Sequence, residues 1–198
     1  MERRVKGICE FDCKWYADGV DAAGDHINGW VAKLVCYDDN SCVGYATDNK
    51  MQNPSHLMIG TFVDGKGLSI CKIHATNEAY DPIIFDAFSN YLGESDTYYG
   101  EFLSKTIFNF YPMGVASIKV NKKELTPENV SNILNQYETM NAAIKSRVGN
   151  SSYTLDMYQA MDHADMSSKL EVVADSVKYE TLPEELTGKS GVQPNSGN

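Results

Sequence analysis

Two apolar, β-branched runs, LMIGTFV from Leu57 to Val63 and LSICKI from Leu68 to Ile73, stand either side of Asp64-Gly65-Lys66-Gly67. Asp-Gly between two such runs is a strong hairpin mark, because a type I′ turn needs φ > 0 at both central residues. With Asp64 and Gly65 as those residues, Ile59 faces Ile70, Thr61 faces Leu68 and Phe62 faces Gly67, so that an aromatic ring covers a glycine gap. A turn one residue later would change every pairing. Either way, the middle of the chain is committed to antiparallel sheet.

The same character extends on both sides. Residues 29–37 (GWVAKLVCY) and 42–47 (CVGYAT) read as strands joined by Asp38-Asp39-Asn40-Ser41. On the first, Trp30, Ala32, Leu34 and Cys36 share one face, opposite Val31, Lys33, Val35 and Tyr37, and only Lys33 interrupts the second face. That strand is expected to be central, with apolar neighbours on both sides. Residues 5–16 suit a further strand, and 114–120 (GVASIKV) another. Between them, Asp81-Pro82 reads as the start of a short helix through Ile83, Ile84, Ala87, Phe88 and Tyr91, with Gly93 near its end. Pro112-Met113-Gly114 reads as a turn before the last strand.

From Leu125 the period becomes helical. Thr126 suits the N-cap and Pro127 the first helical position, and Val130, Ile133, Leu134, Tyr137, Met140, Ile144 and Val148 form one stripe before Gly149. Ser151 or Ser152 can cap a second helix, and Leu170, Val173, Ala174 and Val177 mark a third. The expected architecture is α+β: an antiparallel, meander-like sheet or partly closed β-barrel over 5–120, with helices from 126 to about 180 packed on one face. One domain over 1–182 and a flexible tail over 183–198 follow, since Gly188 to Asn198 has a single large apolar residue, Val192.

Charge narrows the partners. With 17 basic and 27 acidic side chains the net charge is -10, which argues against direct nucleic-acid binding. The imbalance concentrates between Lys72 and Lys105, where Glu78, Asp81, Asp86, Glu94, Asp96 and Glu101 meet no Lys or Arg and alternate with aromatic residues. No apolar run approaches the ~18 residues that cross a bilayer, and charged Glu10, Asp12 and Lys14 follow the amino terminus, so no membrane association and a cytoplasmic location are expected. Cys9, Cys13, Cys36, Cys42 and Cys71 are an odd number of cysteines without a leader and read as reduced thiols. A zinc site on Cys9, Cys13, Cys71 and His74 fails on geometry: on a strand Cys9 and Cys13 stand ~13 Å apart at ~3.3 Å per residue. Cys71 and His74 would face opposite ways. No metal and no cofactor are expected.

Signatures of common enzymes are absent: there is no G-x-S-x-G, H-E-x-x-H, G-x-G-x-x-G or calcium-loop pattern. Gly188-Lys189-Ser190 is not a phosphate-binding loop, because Pro183 stands where its first glycine belongs. His74-Ala75-Thr76 resembles half of the paired His-x-Thr arrangement of two-histidine phosphoesterases, and no second half exists. The loop bearing Asp18, Asp21, Asp25 and His26, and the cluster Asp162-His163-Ala164-Asp165, carry metal-ligating residue types that are also ordinary in turns and on solvated faces.

The leading expectation is therefore a non-enzymatic binding or interaction protein. It would hold a protein partner or small ligand in a β-sheet concavity or on an acidic aromatic surface of Tyr80, Asp81, Asp86, Tyr98, Tyr99 and Glu101. A metal-assisted or histidine-dependent hydrolase using His26, His74 and Asp25 is one alternative. An acidic inhibitor that mimics nucleic acid is another. The sequence leaves the oligomeric state open, a homo-oligomer included.

Overall fold

A computed structural model describes residues 4–17, 28–49, 51–76, 82–89, 96–105 and 110–148. The strands are β1 (Val5–Ala17), β2 (Asn28–Tyr37), β3 (Ser41–Asp48), β4 (His56–Val63), β5 (Gly67–His74), β6 (Ile83–Ser89), β7 (Thr97–Lys105) and β8 (Phe110–Lys123), followed by helix α1 (Pro127–Val148). Each strand pairs antiparallel with the next, and β8 returns to pair with β1, so the meander closes into a barrel rather than remaining partly open. Closure leaves no strand central or at an edge, and β2 meets apolar groups on both faces for a different reason from the one its sequence implied.

Alternation divides each strand between two cores. Phe11, Trp30, Leu34, Met58, Leu68, Phe85, Tyr98, Phe102 and Ile118 point into the barrel. Val35, Val43, Leu57, Cys71 and Ile73 point outward and join Ile133, Tyr137, Met140 and Ile144 of α1 in a second core. The helix begins as its sequence demands, with the Asn129 amide donating to Thr126 Oγ1 at 3.1 Å. Its stripe lies over β2, β3 and β4. The two further helices expected after Gly149, and the expected tail, lie outside the described residues.

Three local expectations are corrected. Residues 83–89 form strand β6, not a helix: Phe85 and Ala87 face inward and Ile84 outward, so period-2 burial between β5 and β7 overrides the helix-start chemistry of Asp81-Pro82. Pro112-Met113-Gly114 is not a turn but part of β8, where Phe102 pairs with Gly114 and Leu103 with Pro112. Met113 is the extra residue of a bulge, a place where a sheet tolerates proline. The β4–β5 hairpin is shifted by one: Gly60 pairs with Ile70, Thr61 with Ser69, Phe62 with Leu68 and Val63 with Gly67. Its connection is three residues long, with the Lys66 amide donating to the Val63 carbonyl and a positive φ of 78° at Gly65. A positive φ at only the third turn residue is the pattern of a type II turn, not type I′.

Closure also requires backbones to approach closely. At Gly100 on β7, an added Cβ would stand 1.8 Å from the Asp86 carbonyl oxygen of β6, so no larger residue fits there without moving a strand.

Candidate functional site

The barrel has two ends of different chemistry. At one end β1 begins, β2 passes to β3 through Asp38–Asn40, β4 turns into β5 at Asp64–Lys66, and β8 leaves for the helix. A pocket of about 290 Å³ opens here, lined among others by Gly7, Cys9, Cys36, Phe62, Asp64 and Lys122. Its floor is built by alternation: Gly7 and Cys9 belong to the inward face of β1, Cys36 to that of β2 and Phe62 to that of β4. Phe62 is held edge-on to Phe11 and Tyr98, with ring centroids 5.3 and 5.8 Å away.

Gly7 leaves the space open. It sits at a register irregularity between Val5 and Gly7 where β1 meets β2, and a Cβ added there would meet no atom within 4 Å. Across the mouth, Lys122 Nζ lies 2.6 Å from Asp64 Oδ2, joining the end of β8 to the β4–β5 turn. Beneath this strap the Gly65 amide donates to Tyr98 Oη at 2.9 Å. Burial pushes the Tyr98 phenol up to about 12, so it stays protonated.

Two of the pocket's groups are thiols on adjacent strands, diagonal to each other in the β1–β2 register. Cys36 hydrogen-bonds to Cys9, and this bond holds the Cys9 thiol below its ordinary range. Burial and Asp64 oppose that shift, while Lys122 and Lys6 assist it. Cys36, the donor, is pushed upward by the same bond and by burial. Burial likewise raises Cys42 and Cys13. All five cysteines are buried and none is in a disulfide. Cys9 and Cys13 share the inward face, and Cys71 faces the helix while His74 sits on the inward row, as strand geometry required.

At the other end, the inward rows of β3, β4 and β5 finish in Asp48, His56, Lys72 and His74. Lys72 Nζ lies 2.8 Å from Asp48 Oδ1, and His56 Nδ1 lies 3.8 Å from the same oxygen. Ser55 Oγ is 2.6 Å from His56 Nδ1, and the rings of His56 and His74 meet edge to face with centroids 4.7 Å apart. The Thr76 amide donates to His74 Nδ1 at 3.2 Å. Burial, followed by the Lys72 charge, pushes His56 down to about 3, against the pull of Asp48. A histidine so weakly basic is mismatched to proton abstraction near neutrality. The polar groups here chiefly satisfy one another, which is how a charged pair persists on an apolar barrel wall.

The residues singled out from sequence are dispersed. His74 belongs to this second cluster, whereas His26, Asp25, Tyr80 and Asp81 lie outside the described residues, as do Asp162, His163 and Asp165. Tyr98 is wholly buried inside the barrel, Tyr99 is exposed on β7 and Glu101 is exposed beside it. Asp86 is buried on the outer side of β6, where it accepts a hydrogen bond from Ser69, and so is not on an acidic surface. Gly7, Cys36, Asp64 and Lys122 are not among the site residues that the sequence singles out. The signal for them was the inward parity of Cys9 and Cys36 on consecutive strands, which brings the two thiols together once β1 and β2 pair.

No protein-family profile, curated protein or solved structure is significantly similar to this chain. Among the described residues no helix is long and apolar enough to cross a membrane.

Proposed function

We propose that this chain is a non-enzymatic small-molecule binding protein that takes a compact carboxylate with an apolar body into the pocket above Cys9, Cys36 and Phe62. The observation that carries the reading is the open space over Gly7 at the head of a barrel whose interior is otherwise lined by contiguous buried side chains. An eight-stranded barrel is just wide enough to be filled by its own side chains or to hold one small ligand.

Size and charge support the ligand class. A volume of about 290 Å³ equals the share of about ten waters at ~30 Å³ each, at the low end of ligand pockets. The lining includes Lys6, Lys122 and Lys123; Lys122 is paired with Asp64 and Lys123 with Glu10, which leaves an excess of one positive charge on a chain of net charge -10. Such a local reversal draws anions to one place on a surface that elsewhere repels them. Phe62, with Phe11 behind it, offers an apolar wall for the rest of the ligand.

Amide chemical-shift titration with benzoate tests the reading, with benzylamine as the cation of similar shape. Saturable shifts at Gly7, Cys9, Cys36 and Phe62 are expected with benzoate and not with benzylamine. Equal responses to both, or benzoate shifts confined to other parts of the barrel, would refute it.

A further inference from the structure

We propose that Cys9 and Cys36 form a redox-active dithiol in this pocket, closing to a disulfide when a small hydroperoxide enters. The inference rests on the pocket of the preceding reading but not on its ligand. Two observations of geometry carry it. The thiols lie on adjacent paired strands, with Gly7 opposite Cys36 and Cys9 two residues further along the same inward face, so that the two side chains are diagonal neighbours across the β1–β2 register. Both also line a cavity that opens to solvent, whereas Cys13 and Cys71, buried elsewhere in the barrel wall, are not among its lining residues.

The chemistry divides between the two sulfurs. Cys9 is opposite Lys122 in the β1–β8 register, near Lys6, and accepts the Cys36 hydrogen bond; each of these favours its thiolate, the nucleophilic form. The thiolate attacks one oxygen of the hydroperoxide, forming an S–O bond as the O–O bond breaks, and the departing alkoxide or hydroxide takes a proton from water. Cys9 is then a sulfenic acid. The Cys36 sulfur attacks it, the S–S bond forms, and the released hydroxide leaves as water with the Cys36 proton. In sum, two thiols and one hydroperoxide give a disulfide, an alcohol or water from the peroxide, and one further water. The thiols lose two electrons and the peroxide gains them.

Cys42 sharpens the test, because it stands directly opposite Cys36 in the β2–β3 register and is a competing partner. Burial and the charge of Cys9 both hold the Cys42 thiol protonated, so Cys9 is the attacking group. The full chain treated with one equivalent of hydrogen peroxide is digested without reduction by trypsin and a protease cutting at acidic residues. Glu10 separates Cys9 from Cys13, and Asp38 and Asp39 separate Cys36 from Cys42.

The expected first product is a Cys9–Cys36 linked peptide, with two of the five thiols lost. In a Cys36→Ser variant, dimedone should trap a sulfenic acid at Cys9 about tenfold or more faster than at Cys13 or Cys42. A Cys36–Cys42 link as first product, oxidation spread evenly over the cysteines, or no linked peptide would overturn the proposal, and the mapping of the natural chain decides it even if the variant fails to fold. Peroxide needs no carboxylate in the pocket, so a chain that forms this disulfide yet ignores benzoate refutes only the ligand reading.

Discussion

Lys72 Nζ reaches Asp48 Oδ1 at 2.8 Å although a whole strand, β4, lies between the two residues in the barrel wall. The pair therefore spans the inner side of β4 and ties β3 to β5 at the histidine end. Lys72 is only 7% exposed, so its ammonium depends on Asp48 for compensation. Lys72→Met should destabilise the fold by about 2 kcal/mol, less than the ~3–5 kcal/mol of a fully buried pair because Asp48 keeps some contact with water. The double variant Lys72→Met with Asp48→Asn should recover most of that loss. Urea denaturation of the three proteins measures both effects, and a Lys72→Met protein as stable as the parent would show that the pair holds nothing.

His56 gives this end a pH dependence with a defined sign. Its folded-state value of about 3 lies below the ~6.5 of an unfolded histidine. Between those values the unfolded chain binds a proton that the folded chain does not, so stability falls as pH drops from about 6.5 toward 3 and is level above. His56→Gln should flatten that part of the profile. Unfolding midpoints measured from pH 7 to pH 4 in both proteins check it, and an unchanged slope in the variant would assign the dependence to other groups.

Tyr98 links the interior to the Asp64–Lys66 turn through its hydroxyl. Tyr98→Phe keeps the ring packed on Phe62 but leaves the Gly65 amide without its acceptor. A loss of about 1 kcal/mol is expected. Faster hydrogen exchange at Gly65 than elsewhere in the hairpin should accompany it, and unchanged exchange there would contradict the assignment.

Gly100 is where barrel closure leaves no room for a methyl group. With the Asp86 carbonyl 1.8 Å from an added Cβ, Gly100→Ala should cost about 3 kcal/mol or more, because β6 and β7 must separate. Calorimetry would detect this as a lowered Tm, and a neutral substitution would mean that the strands are freer to shift than their spacing implies.

How far the sequence determines this fold differs from element to element. Trp30, Ala32, Leu34 and Cys36 read as one face of β2 and are one face, because period-2 burial is a local signal. Thr126 and the α1 stripe were equally legible, since the cap and the apolar spacing reside in the same helix. β6 was not: Asp81-Pro82 carries a genuine helix-start signature, and what overrules it is pairing with Leu68–Lys72 and with Tyr98–Ser104, partners that no local window contains. The hairpin register failed by one residue because Asp-Gly serves more than one turn type, and only the positive φ at Gly65 alone distinguishes them. The pocket is less legible still. Cys9 and Lys122 are more than a hundred residues apart in the chain and become neighbours only when β8 closes on β1.

Gly7 is where the pocket is open and a side chain is sterically free, so a substitution there probes the ligand site itself. Gly7→Leu should fill the cavity, leave the unfolding free energy within about 0.5 kcal/mol of the parent, and weaken benzoate binding at least about tenfold, or ~1.4 kcal/mol. A stable Gly7→Leu protein that binds benzoate as the parent does would contradict the account, since the ligand would then occupy some other part of the molecule.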